Sequence, residues 1–175
     1  MHIFLTGEIQ VGKSTIIRKW LEAHPELKTG GFRTVAGPKN SDGSDSVHII
    51  PAVGETPLTA ENCVLQRGAW APNRKFSVSL EVFDTIGVSL LERTEDCDLI
   101  LMDEVGVQED GAQKFSQAVL NCLDGDIPIL GVVRDKPGML TNAVRGHEKT
   151  ELIVVTVENR QKVLERLLEW DGGLV

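Results

Sequence analysis

The 175-residue chain is poor in cysteine and in positive charge. Cys63, Cys97 and Cys122 are odd in number, widely spaced and without a CxxC pair. That excludes a disulfide framework and a structural zinc site, and leaves reduced, mostly buried thiols. Eighteen lysines and arginines are outnumbered by 26 acidic residues, for a formal net charge of -8. Phosphate-backbone binding needs a basic face, so this balance argues against a nucleic-acid partner. No apolar run approaches the ~20 residues that a membrane helix needs. The opening Met1-His2-Ile3-Phe4-Leu5 has no basic leader, and its apolar run is too short for a signal peptide. His2, His24, His48 and His147 show no metal-ligand spacing and are read as structural. The expectation is a cytoplasmic monomer with no nucleic-acid or membrane partner, folded as one domain over residues 1–175 and long enough to hold a catalytic cleft.

What is present is an alternation of strand-length apolar runs with helical patterns, the sign of an α/β fold in which parallel strands are joined by crossover helices. His2 to Leu5 reads as a first strand, Ser14 to Glu22 as a helix closed before Pro25, and Gly31 to Val35 as a second strand. Residues 37–46 are all turn and breaker types and read as a surface loop. Val47 to Val53 and Cys63 to Leu65 read as short strands of a hairpin-like insertion spanning 37–76, and Gly68 to Arg74 is irregular. From Val78 onward Val82, Phe83, Ile86, Leu90 and Leu91 share one helical face. Leu99 to Met102, Ile129 to Val133 and Leu152 to Val157 are continuously apolar, as strands buried on both faces are. Gln113 to Leu123 and Arg160 to Trp170 read as helices, the latter stopped by Asp171-Gly172-Gly173.

Chemistry concentrates first at residues 6 to 15, TGEIQVGKST. Gly7-x-x-x-x-Gly12-Lys13-Ser14 fits the P-loop pattern, and it falls between a strand and a helix as that pattern requires. Glycines let the backbone of Gly7, Glu8, Ile9, Gln10, Val11 and Gly12 curl around a triphosphate with successive N–H groups pointing inward. The free N–H groups and dipole of the following helix add attraction. Lys13 reaches the β and γ phosphates, the Ser14 hydroxyl ligates Mg²⁺ and Thr15 donates to the α phosphate. An acidic chain thereby builds one local anion site.

A magnesium-bound triphosphate needs a carboxylate as well, and the apolar run Leu99-Ile100-Leu101-Met102 ends in Asp103 and Glu104. Asp103 is placed as the second metal ligand, Glu104 as the base that orients or deprotonates the attacking water. Neighbouring strand residues face opposite ways, so both acids serve one site only if the chain turns at Glu104. Glu109 follows on the same loop, either facing the site or exposed to solvent. Arg134 ends the Ile129 to Val133 strand at the same sheet edge, as an arginine finger or a surface ion pair. Asn159 and Arg160 follow the last strand and border the nucleobase, unless Asn159 serves as a helix N-cap.

These stretches together resemble a family. Thr6-Gly7-Glu8, Val11-Gly12-Lys13-Ser14-Thr15, Gly31-Phe32-x-Thr34, Asp98 through Asp103-Glu104-Val105-Gly106-x-x-Glu109 and Val155-Thr156-x-Glu158-Asn159-Arg160 resemble the thermophilic nucleoside-triphosphatases over most of the chain. The resemblance implies a three-layer, RecA-like P-loop fold with a mostly parallel central sheet flanked by helices and a small β insertion. It also implies magnesium-dependent hydrolysis of ATP, GTP and other nucleoside triphosphates to diphosphate and phosphate. Ile9-Gln10 stands where the family often has Pro-Gly, Arg33 where it often has tyrosine, and residues 37–76 match poorly. Two other readings remain open. A small P-loop kinase would need a lid, for which the stretch from Gln66 to Lys75 offers Arg67, Arg74 and Lys75. A nucleotide-switched binding module would turn over slowly until a partner contributed a group.

Overall fold

The computed structural model describes residues 1–170. The Asp171-Gly172-Gly173 helix stop lies outside the described residues. Five strands pair in parallel: β1 (His2–Thr6), β2 (Thr29–Ala36), β6 (Leu99–Val105), β7 (Ile129–Val133) and β8 (Thr150–Val154). Three more, β3 (Asp45–Pro51), β4 (Cys63–Arg67) and β5 (Phe76–Val78), add to β2 as an antiparallel meander, and the order across the sheet is β5-β4-β3-β2-β6-β7-β1-β8. Every residue of β1 and β7 is buried, which is why both sequences are apolar without alternation.

Helices cover both faces. On one, α1 (Lys13–Ala23) and α6 (Arg160–Leu168) close a core around Trp20, Leu101, Leu130 and Leu167. Trp20 is fully buried and its indole N–H donates to the Leu167 carbonyl at 2.7 Å, so its one polar atom is satisfied. Burying a side chain of this size contributes roughly 2–3 kcal/mol. On the other face, α2 (Leu80–Val82), a π-helical turn (Phe83–Gly87), α3 (Val88–Glu92), α4 (Gln113–Asp124) and α5 (Met139–Gly146) enclose Phe32, Phe83, Phe115 and Val144. The α/β class expected from the alternation, and the three layers that the resemblance implies, are the ones observed.

Several local expectations are corrected. The strand read at Leu152 to Val157 runs from Thr150 to Val154 and lies at the sheet edge, with Leu152, Val154 and Val157 exposed, so it is not buried on both faces. The stretch read as a hairpin-like insertion is continuous with the main sheet through β2 and β3, which pair from Phe32–Pro51 to Ala36–Val47. β5 begins at Phe76, directly after the irregular Gly68 to Arg74 segment. The helix read from Val78 is interrupted by the π turn, which packs Gly87 so tightly on Phe115 that an added Cβ would lie 2.7 Å from its ring. α5 escaped notice because only Leu140 and Val144 mark its buried stripe and Pro137-Gly138 precede it.

At the opposite end of β1 from its glycine loop, His2 is fully buried, pairing through Nε2 with the Leu123 carbonyl at 2.9 Å and accepting the Ile129 N–H at Nδ1. Burial lowers its proton affinity below the ordinary histidine value of 6.5. The unfolded chain therefore takes up the proton first, and the stability that His2 contributes is complete above pH 6.5 and lost as pH falls below it. Wild type is expected to lose thermal stability relative to His2→Gln between pH 7.5 and pH 5.5; parallel melting curves for both proteins across this range test the assignment.

Candidate active site

β1 ends at Thr6 and the chain curls before entering α1 at Lys13. Gly7 and Gly12 have positive φ of 124° and 105°, and Gln10 is also left-handed at 67°. Only glycine fits at Gly7, where a Cβ would collide with the Val155 carbonyl oxygen that follows β8. Gln10, at the apex of the loop, holds the same kind of conformation at a cost of about 1 kcal/mol. α1 has no side-chain cap and no acid in its first turn, so its leading N–H groups are not claimed by a carboxylate.

The loop encloses a crevice of about 250 Å³ lined by Ile9, Gln10, Gly12, Lys13, Ser14, Thr15, Glu104 and Arg134. Lys13 is buried and its ammonium donates to the Gly7 and Glu8 carbonyls at 2.9 and 2.6 Å, folding back on its own loop. Burial lowers its pKa, and Glu104 opposes that shift. Val11 turns away from the crevice into the core beneath α1, leaving only its backbone to the loop.

Across the crevice the two acids converge. Asp103 pairs with Val132 of β7 and Val105 with Val133, so Glu104 is the extra residue of a bulge on β6. The turn that two adjacent acids require therefore lies inside the strand. Asp103 accepts a hydrogen bond from Ser14 Oγ at 3.3 Å. Glu104 accepts one from Arg134 Nε. Burial, and next Glu104 beside it, push the Asp103 carboxyl up to about 6, while the Ser14 hydroxyl pulls it back.

A hydroxyl and a carboxylate held within hydrogen-bonding distance are hard oxygen donors of the kind Mg²⁺ accepts. Among the described residues no three His, Cys, Asp or Glu side chains cluster for a metal. The donor set therefore fits an ion that keeps phosphate and water oxygens as its remaining ligands, as Mg²⁺ does.

Glu109 and the two residues after β8 stand elsewhere. Glu109 is buried near the start of a 3₁₀ turn (Gln108–Gly111) behind Glu104, and its Oε2 accepts the Gly106 N–H at 3.1 Å. Asn159 staples its own loop: Oδ1 accepts the Thr156 N–H at 2.8 Å and Nδ2 donates to the Val154 carbonyl at 2.9 Å, with no cap bond into α6. Arg160 lies against the loop, its Cδ 3.9 Å from where a Cβ on Gly12 would stand. A supporting residue that sequence reasoning did not single out is Arg145 on α5. Its guanidinium donates to Thr6 Oγ1 at 3.1 Å and the Arg134 carbonyl at 3.0 Å, joining the starts of both site loops. Its sequence context carries no motif, and only the position of α5 reveals it.

A glycine curl between a parallel strand and a helix, faced by a strand-end acid bonded to the residue after the lysine, defines a P-loop nucleotide-binding protein. A family model described as NTPase matches residues 2–168. The nucleoside-triphosphatase THEP1 of Methanocaldococcus jannaschii is 32% identical over 171 residues, covering 96% of this chain and 95% of that protein. That of Methanosarcina barkeri is 32% identical over 164 residues, covering 91% of each. The crystal structure of THEP1 from the hyperthermophile Aquifex aeolicus shares the fold with a TM-score of 0.74 at 24% identity, over 97% of this chain and 98% of that one. The solution structure of a human cancer-related nucleoside triphosphatase gives 0.70 at 25% identity, over 96% and 95%. The chain belongs to the NTPase family that this model describes.

Burial also pushes the Glu109 carboxyl from 4.5 up to about 7. A carboxyl raised in this way contributes fully to stability only below its unfolded value and loses that contribution as pH rises toward 7. Each tenfold change in proton affinity corresponds to about 1.4 kcal/mol. Relative to wild type, Glu109→Gln is expected to gain about 2–3 kcal/mol of stability between pH 5 and pH 8. Denaturant melts at the two pH values decide; an equal gap at both would show that folding does not raise the proton affinity of this carboxyl.

Proposed function

We propose that the chain hydrolyses the γ-phosphoryl group of nucleoside triphosphates, ATP and GTP among them, to diphosphate and phosphate in a magnesium-dependent reaction. The observation that carries this reading is the hydrogen bond from Ser14 to Asp103, which closes the phosphate loop against the acidic end of β6 in one crevice with Lys13 and Glu104. The names of the relatives, nucleoside-triphosphatases, support it.

In this reading the loop amides from Gly7 to Gly12 and the first N–H groups of α1 hold the phosphates. Lys13 exchanges its carbonyl partners for β- and γ-phosphate oxygens. Because those carbonyls already hold the ammonium in place, little reorganisation is needed when phosphate arrives. Ser14 and Asp103 hold Mg²⁺, which when bound neutralises charge on the phosphates. Glu104 takes the proton of the attacking water, its carboxylate oriented by the Arg134 guanidinium. Arg134 thereby acts on Glu104 as well as adding positive charge beside the γ-phosphoryl group. Glu109 supports the Gly106 turn that follows Glu104. Arg160 borders the nucleotide over Gly12. Asn159 fixes the loop from which Arg160 projects.

Among the described residues no helix is long and apolar enough to cross a membrane. We infer a cytoplasmic monomer acting on free nucleotide without nucleic acid.

Phosphate release from ATP and GTP is expected to require Mg²⁺. Lys13→Ala should lose both tight nucleotide binding and turnover. Glu104→Gln should retain binding while losing a hundredfold or more of turnover, since one positioned base contributes roughly 10²–10⁴ in rate. Turnover by Glu104→Gln equal to wild type would remove that residue from the mechanism.

A further inference from the structure

Glu104 and Arg134 also face a second crevice, of about 220 Å³, on the side away from the glycine loop. It lies between the ends of β2, β3 and β4 and the turn that carries Gln108 and Glu109. One attacking water has a share of about 30 Å³ in the liquid. The space beside the proposed base therefore exceeds the needs of hydrolysis several times over.

The lining narrows what would fill it. Each of its two cations faces a carboxylate through Nε, Arg134 that of Glu104 and Arg67 that of Asp45 at 2.5 Å, so neither charge stands unbalanced. With Glu104 and Glu109 also on the wall, the lining has no excess of positive charge to draw an anionic ligand. Gln108 and Thr34 also face the crevice, and neither side chain has a hydrogen-bond partner among the described residues. Val35, Val47, Val64 and Phe83 supply apolar surface. Hydrogen-bonding groups of both signs over an apolar floor suit a small, neutral molecule rich in hydroxyl groups. Part of the wall comes from Arg67, within the stretch that the sequence offered as a kinase lid. Arg74 of that stretch is occupied, bonded to the Gly43 and Gly68 carbonyls.

We propose that this crevice seats a small neutral polyol or sugar and that the protein transfers the γ-phosphoryl group of its nucleotide to one of the ligand's hydroxyls. The proposal rests on the reading that the triphosphate occupies the glycine-loop crevice. The hydroxyl oxygen forms a bond to the γ-phosphorus, and the bond from that phosphorus to the β–γ bridging oxygen breaks. Its electron pair leaves with the nucleoside diphosphate. The hydroxyl proton passes to Glu104, the carboxylate that both crevices share. Hydrolysis is the same displacement with water in the acceptor's place.

The test supplies Mg²⁺ and ATP labelled in the γ-phosphate to the full chain with glycerol, D-ribose or uridine as acceptor and AMP as anionic control, and separates phosphate esters from inorganic phosphate. At least one of the three neutral probes is expected to yield a phosphate monoester at the expense of inorganic phosphate, and AMP none. Ala36 is exposed at the end of β2 and lines the crevice. Ala36→Phe, with Ala36→Leu as a milder second variant, should cut ester formation tenfold or more and leave phosphate release without acceptor within twofold of wild type. Label found only in inorganic phosphate with all three probes, or transferred to AMP alone, overturns the proposal. So does ester formation unchanged in folded variants. Equilibrium dialysis of ATP on the same samples separates the two readings: no bound nucleotide overturns the nucleotide site itself, whereas binding and hydrolysis without ester overturn only the acceptor site.

Discussion

The site depends on β6, β7 and β1 lying side by side and parallel, with their carboxyl ends at one edge of the sheet. Neighbouring strands are about 4.8 Å apart, so β1 and β6, separated by β7 alone, end roughly 10 Å from one another. That gap is closed by side chains. The loop after β1 reaches across with Lys13 and Ser14, β6 answers with Asp103 and Glu104, and Arg134 enters between them from the end of β7. Segments ninety residues apart in the chain meet because the sheet order places them there.

Charge is arranged by the same geometry. The molecule is acidic overall, and its anion site is made from backbone N–H groups, one lysine and one helix end rather than from a basic surface. Lys13 is buried against carbonyls, and the half-buried Asp103 next to Glu104 holds its proton more tightly than an ordinary aspartate. The acidic side of this arrangement is thus rich in negative charge, which a divalent cation would neutralise. Arg134 offsets part of it by pairing with Glu104.

The meander β3–β5 gives this chain surface that the parallel core alone would not have. By extending the sheet past β2 it creates a wall facing the turn of Gln108 and Glu109, and so a second crevice on the far side of the Glu104–Arg134 pair. Arg67, drawn toward Asp45, holds the outer part of that wall.

The α/β class, the glycine loop and the acid pair were legible in the sequence because each is local. A glycine spacing, a lysine followed by hydroxyl residues and an apolar run ending in carboxylates express their physics within about ten residues. The tertiary structure alone decided what depends on neighbours distant in the chain. The β8 run is an edge strand because, among the described residues, no strand pairs beyond it. Asn159 turns back onto its own loop because Thr156 and Val154 present partners there. Glu109 sits behind Glu104 rather than beside Lys13, and Arg145 reaches Thr6 from a helix without a motif. Local propensity reports which residues are suited to phosphate and metal. Only packing of the whole sheet sets which of them share a cavity, since burial and contact are properties of the folded assembly of elements.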